Sequence, residues 1–215
     1  MARVILDISV SLDGFVAGPN ATLEEPLGEG GERLHDWIVP TKVWREMHGM
    51  QGGETGPENE FLEGRLGLAG ATVMGRRMFS GGFGPGPWAE DPNAEGWWGD
   101  EPPFHHPVFV VTHHGREPLE LKGTTFTFVT DGVESAIEQS RAVAGDKDVS
   151  IGGGAEVAQQ ALRAGLVDEI SLHMAPVFLG GGARLFEDVG SDLRLEKKDV
   201  RDSPATTHIR FGVRN

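Results

Sequence analysis

The chain contains no cysteine. Disulfides, thiolate metal sites and cysteine nucleophiles are therefore excluded. Positive charge is scarce as well: 19 Lys and Arg stand against 33 Asp and Glu, a formal net charge of −14 at pH 7. Such a surface repels a phosphate backbone except at a local basic pocket, so no nucleic-acid partner is expected. No apolar run approaches the ~18 residues that would suggest a bilayer span, and no membrane partner is expected either. The opening MARVILDISV lacks the basic segment and small-residue cleavage site of a secretory signal, which predicts a cytoplasmic protein. What is present is a globular composition, 38% apolar and 24% charged over 215 residues. With no Ser/Gly linker and no solenoid repeat, one domain over residues 1–215 is expected.

Short apolar runs mark the strands. The first, residues 3–10, is apolar nearly throughout (Val4, Ile5, Leu6, Ile8, Val10) and predicts a strand covered on both faces. Similar runs at 71–74, 108–112, 125–129, 148–152 and 169–178, then alternating stretches at 193–200 and 205–213, bring the total to about eight strands. Between them lie helically spaced sets: Val43, Trp44, Met47 and Met50; Phe61, Leu62, Leu66 and Ala69; Val133, Ala136, Ile137 and Ala144; Val157, Ala158, Ala161 and Leu162. Thr55 with Glu58, and Asp131 with Glu134, have capping-box spacing. Strands alternating with helices predict an α/β fold with mainly parallel pairing, and the short connection at 201–204 predicts a C-terminal antiparallel hairpin. Two irregular stretches, 18–40 and 81–107, are long enough to suggest function.

Three strand ends carry chemistry suited to phosphate. At Ser150-Ile151-Gly152-Gly153-Gly154-Ala155-Glu156-Val157 a strand ends in three glycines and an amphipathic helix begins at once. Free helix N–H groups and the positive end of the helix dipole can hold a diphosphate there; the plainer reading is a tight turn. The pattern is neither the dinucleotide fingerprint, since Val157 takes the sixth position, nor a Walker loop. A second junction, Met74-Gly75-Arg76-Arg77-Met78, places two cations beside backbone donors, an anion site unless it is an ordinary surface ion pair. A third strand ends in Thr112-His113-His114-Gly115-Arg116. Ligands of α/β sheets bind at this edge. Finally, Asp13-Gly14 closes the first strand, either as turn chemistry or beside a ligand.

Taken in order, SVSLDGFVAGPN, TVMGRRMF, VFVVTHH, IGGGAEVAQQAL and VDEISLHMAPVFLGGGARLF resemble the dihydrofolate-reductase-like family that includes the reductase domain of bacterial riboflavin biosynthesis. The resemblance spans roughly residues 3–213. It implies a single-domain, about eight-stranded, mostly parallel sheet flanked by helices, with NADPH laid across the strand carboxyl ends, and a homodimer. Gly75, Arg76, Arg77 and Met78 match the family's phosphate-binding turn, with Met78 where Thr is usual. Thr112, His113 and His114 match the strand end bordering the adenosine ribose, with Arg116 in reach of the extra phosphate. Ile151, Gly152, Gly153, Gly154, Ala155, Glu156 and Val157 match the second diphosphate turn. Val16 and Ala17 match the small segment beside the nicotinamide.

For the substrate, Asp13 matches a family Asp that helps hold the substrate's sugar, while Asp36 and Glu46 are the nearest carboxylates to the pterin-binding one of dihydrofolate reductases proper. A water held by Asp13 or Asp36 is the expected proton donor. Trp88, Trp97, Trp98 and Phe104 in the second irregular stretch are suited to stacking a flat heterocycle, or to packing as a surface loop. Gly181, in the Leu179–Gly182 run, borders the substrate or merely turns the chain. The expected partner is a small-molecule substrate, heterocyclic or carbonyl-type; a non-catalytic NADP(H)-binding module on the same fold is the alternative. No metal site is expected: adjacent histidines at 105–106 and 113–114 point to opposite faces of a strand. No G-x-S-x-G elbow occurs.

Overall fold

The computed structural model describes residues 2–22, 24–80, 96 and 98–214. The chain runs β1 (Val4–Ser11), β2 (Phe15–Ala17), a 3-10 turn (Gly31–His35), α1 (Lys42–Met47), α2 (Pro57–Glu63), β3 (Ala69–Gly75) and α3 (Arg76–Ser80). It continues through β4 (Val108–Val111), β5 (Leu119–Leu121), β6 (Thr124–Val129), α4 (Val133–Val143), β7 (Asp148–Gly153) and α5 (Ala155–Arg163). It ends with β8 (Glu169–Ala175), β9 (Ala183–Arg184), β10 (Arg194–Asp202) and β11 (Thr207–Arg214).

Nine strands form the main sheet in the order β10-β11-β8-β1-β7-β3-β4-β6-β5, while β2 and β9 pair in a small ribbon. Strands β8 through β6 are parallel, and β10 with β11 forms the expected antiparallel hairpin. Within the main sheet, the strand beyond the expected eight is β5, a three-residue edge paired antiparallel with β6. It is too short to show a periodic apolar pattern.

Alternation along the strands sorts the two faces. Val4, Leu6, Ile8 and Val10 of β1 join Ala71, Val73, Val149 and Ile151 beneath α4 and α5, which contribute Ala136, Ile137, Ala158 and Leu162. Burying each Leu, Ile or Val here stabilises the fold by roughly 1.5–3 kcal/mol. The opposite face is divided. Met74, Val108, Val110, Phe126 and Phe128 pack with Phe79 at one end. At the other, Trp37 and Phe61 pack on His208, whose ring stacks on Phe61 at 3.8 Å. Between these two clusters the sheet floor carries polar side chains.

Helix starts differ from the capping boxes. Helix α2 begins after Gly56, with Pro57 in its first turn and no side-chain cap; proline's fixed φ favours that position, so the start moves past Thr55. Helix α4 is preceded by Gly132 at φ 95° rather than capped by Asp131, a conformation that favours glycine. Helix α1 is capped instead by Thr41, which accepts the Trp44 N–H at 3.3 Å. Met50, Leu66 and Ala69 fall outside the helices to which their spacing assigned them, and Ala69 opens β3. Strand β8 stops at Ala175 because Pro176 has no N–H to continue the ladder. The irregular stretch 18–40 folds on itself: Gly18 donates to Leu27 at 2.7 Å and Glu29 to Pro19 at 2.9 Å. A β-carbon at Gly28 would lie 2.4 Å from the Gly18 carbonyl oxygen, so this closure requires glycine.

Candidate active site

A cleft of about 2230 Å³ opens over the divided face and reaches the carboxyl ends of β1, β3, β4 and β7. That exceeds the ~300–1,000 Å³ typical of one small-molecule site and leaves room for two ligands.

One end of the cleft is built from the two Gly-rich junctions. Strand β3 ends at Gly75 and turns directly into α3, while β7 ends at Gly153 and Gly154 precedes α5 without a side-chain cap. The first-turn amides of α5 have no intrahelical partner, and the space beside Gly154 is open to 4 Å. Met78 lies against the same turn: a β-carbon at Gly153 would approach its sulfur to 2.9 Å. The Arg76 Nη1 atom is buried and has no hydrogen-bond partner among the described residues. Burial, then the neighbouring Arg77, pulls the Arg76 guanidinium below its ordinary pKa, with Glu156 opposing. A half-buried cation with one nitrogen short of an acceptor among the described residues, beside uncapped helix amides and close-packed glycines, has the donor set for a diphosphate.

Gly75, Arg76, Arg77, Met78, Thr112, His113, His114, Gly152, Gly153, Gly154, Ala155, Glu156 and Val157 all line this cleft, as do Val16 and Ala17 from β2. Thr112 accepts the His114 N–H at 3.0 Å and fixes that strand end. Ile151 is different, because its side chain is fully buried in the helix-side core. Arg116 packs its guanidinium 5.0 Å from the centre of the Phe128 ring and lies outside the cleft lining.

The expected substrate residues divide. Asp36 lines the cleft. Asp13 does not: it accepts from the Ser11 hydroxyl at 2.6 Å and from the amides of Leu179 at 3.1 Å and Gly180 at 2.7 Å. The Ser11 bond and then these amides lower its pKa to about 2 against the opposing effect of burial. Asp13 thus ties the β1–β2 turn to the loop after β8. Gly181 sits against Pro19 rather than in the lining, which its neighbours Gly182 and Ala183 enter. Trp98 lines the cleft and meets Phe104 edge-on at 4.9 Å. Trp88 and Trp97 lie outside the described residues. Among the described residues, no group of three or more His, Asp or Glu could hold a metal ion.

The cleft floor holds a polar array that motif reading missed. Asp7 accepts from His173 Nε2 at 2.6 Å through one oxygen and pairs with Arg65 through the other. His173 Nδ1 meets His208 Nδ1 at 2.8 Å. Burial alone would raise the Asp7 pKa, but His173 and Arg65 overcome it and hold the carboxyl well below its usual range. Burial, then His173, pushes His208 down to about 4. At the far side of the floor, Thr72 Oγ1 bonds His106 Nε2 at 2.8 Å, and His106 is likewise pushed down to about 4, first by burial and then by Lys147. The available signal was an ionisable residue inside each of two apolar runs: Asp7 in VILDIS and His173 in ISLHMA.

This fold and edge-of-sheet cleft define an α/β protein of dihydrofolate-reductase-like type, with a largely parallel sheet flanked by helices. Residues 2–209 match the RibD C-terminal domain, and the chain belongs to that family. It is 27% identical over 205 residues to the uncharacterized protein YyaP of Bacillus subtilis (strain 168), covering 93% of this chain and 88% of that one. Among solved structures, a putative riboflavin biosynthesis protein from Shewanella sp. PV-4 aligns over all of both chains with a TM-score of 0.62 at 19% identity. A diaminohydroxyphosphoribosylaminopyrimidine deaminase/5-amino-6-(5-phosphoribosylamino)uracil reductase from Thermotoga maritima aligns with 99% of this chain and 56% of its own, at 13% identity and a TM-score of 0.57.

Proposed function

We propose that the protein is an NADPH-dependent reductase that transfers a hydride to a small heterocyclic, pyrimidine-like or carbonyl-type substrate. The observation that carries this reading is the buried Arg76 Nη1 atom, without a hydrogen-bond partner among the described residues, beside the two glycine junctions. Arg76 and the first-turn amides of α5 hold the diphosphate, while His113, His114 and the exposed Arg77 border the adenosine end and its extra phosphate. Val16 and Ala17 form the small wall beside the nicotinamide. The bound cofactor supplies the hydride.

The protein's own contribution is alignment, since hydride transfer depends chiefly on how the donor carbon faces the acceptor. Of the two carboxylates expected to hold a proton-delivering water, Asp36 is the one on the cleft wall, and it takes that role here. Family membership and the reductase among the similar structures support this reading. No helix among the described residues is long and apolar enough to cross a membrane; the reading takes the protein to act in the cytoplasm as a homodimer. Sedimentation at the mass of one chain would overturn the dimer. Oxidation of NADPH in the presence of a panel of pyrimidine-like and carbonyl compounds tests the activity. Turnover that requires one compound and prefers NADPH is expected; cofactor binding without turnover of any compound favours the non-catalytic alternative.

A further inference from the structure

One apolar sheet face is only partly covered by the described residues. Helices α4 and α5 pack over β3, β4 and β7, and β10 and β11 lie beyond them at the end of the main sheet. Leu195 stands opposite Val213, Lys197 opposite Phe211 and Val200 opposite Ile209, so these six side chains share one face. Phe211 and Val213 lean on the margin of the helix-side core, which identifies that face. Ile209, Phe211 and Val213 are half-buried, while Leu195 and Val200 each remain 49% exposed. The charge of this strand departs from that of the chain. In a molecule of net charge −14, β10 carries the basic Arg194, Lys197, Lys198 and Arg201 against the acidic Glu196, Asp199 and Asp202. On the apolar face its charged side chains are Lys197 and, opposite Thr207, Asp202. They stand on either side of Val200. Among the described residues Lys197 has no ion pair, and Asp202 accepts only the Thr207 hydroxyl, at 3.1 Å.

We propose that this face of β10 and β11 docks a second copy of the chain, face to face about a two-fold axis that crosses the strands near Val200 and Ile209. It rests on the homodimer of the reading above and places its interface. Such an axis sets Val200 and Ile209 on their own copies and brings Lys197 opposite Asp202 of the partner subunit, twice over. Within one copy, four to five residues of extended chain, roughly 14–17 Å, keep the two apart, too far for an ion pair. Two acidic chains repel each other overall, and a patch of mixed charge around an apolar stripe is where that repulsion is least. Edge-to-edge pairing of β10 is disfavoured, because the bulge between Lys197 and Asp199 and the charges along the strand blunt that edge.

The test is sedimentation equilibrium of the full chain over a concentration series. The wild type is expected at the mass of two chains. Val200→Asp sets two carboxylates together at the axis and is expected to give the mass of one chain, with the far-UV circular dichroism unchanged. Lys197→Asp should raise the dissociation constant of the dimer roughly tenfold or more, since it sets like charges opposite each other at two places. Combining Lys197→Asp with Asp202→Lys should restore the dimer. A dimer indifferent to Val200→Asp and Lys197→Asp overturns the proposed face and leaves the homodimer standing; a wild type at the mass of one chain at every concentration overturns both. A double swap that fails to restore the dimer overturns the two-fold pairing. Should Val200→Asp fail to fold, the swap at the exposed Lys197 and Asp202 decides alone. Mass is read without cofactor, so the outcome is independent of the hydride-transfer reading.

Discussion

Gly75 and Val157 join two strand–helix junctions that lie on neighbouring strands. A β-carbon at Gly75 would stand 3.2 Å from Val157 Cγ2 and 3.5 Å from the Gly154 amide nitrogen. The ends of β3 and β7 therefore close on each other only because one of them has no side chain. Gly75→Val is expected to force these junctions apart at a cost of about 1–3 kcal/mol and to weaken NADPH binding. Urea unfolding and a cofactor titration check both; unchanged affinity would separate this contact from the cofactor site.

Buried His208 and half-buried His106 set the acid side of the stability curve. His208 and His106 titrate near pH 4 in the folded chain, against about 6.5 unfolded. Below about pH 6.5 the unfolded chain therefore binds more protons, and stability rises with pH in that range. The stabilisation from keeping these rings neutral is full above about pH 6.5 and is lost as pH falls toward 4. His208→Asn is expected to flatten the dependence of the melting temperature on pH between 6.5 and 4. An unaltered slope would remove His208 from this account.

Asp13 holds a loop rather than the cleft. Its carboxylate joins Ser11 to the amides of Leu179 and Gly180. Asp13→Ala is expected to speed hydrogen exchange at those two amides, with NADPH affinity changed less than twofold. Exchange at wild-type rates would mean that the loop is fixed by other contacts, such as the Leu12 N–H to Val177 carbonyl bond of 2.9 Å.

Much of the fold was legible because β1, β3, β7 and α5 carry long, regular apolar patterns that tertiary packing had no cause to override. The helix starts at Gly56 and Gly132 were not, since a backbone conformation rather than a side-chain cap sets them. The glycine turns and Arg76 announced themselves as local motifs. Asp7, Arg65, His173 and His208 did not, because they come from β1, the segment after α2, β8 and β11 and meet only in space. Asp13 is the opposite case: its motif is plain in the sequence, but its bonds to Ser11, Leu179 and Gly180 form only when the loop after β8 folds back onto the β1–β2 turn.

The proposed phosphate cradle at the β3–α3 and β7–α5 junctions is tested most directly by paired titration with NADPH and NADH. The wild type should bind NADPH much more tightly than NADH. Changing Arg77 alone to Ala should weaken NADPH by roughly 10- to 150-fold, the value of one charge-assisted bond, and NADH far less, whereas Arg76→Ala should weaken both. Equal loss for both cofactors in the Arg77 variant would contradict the assignment of that arginine to the extra phosphate, and no binding of either by the wild type would contradict the cradle itself.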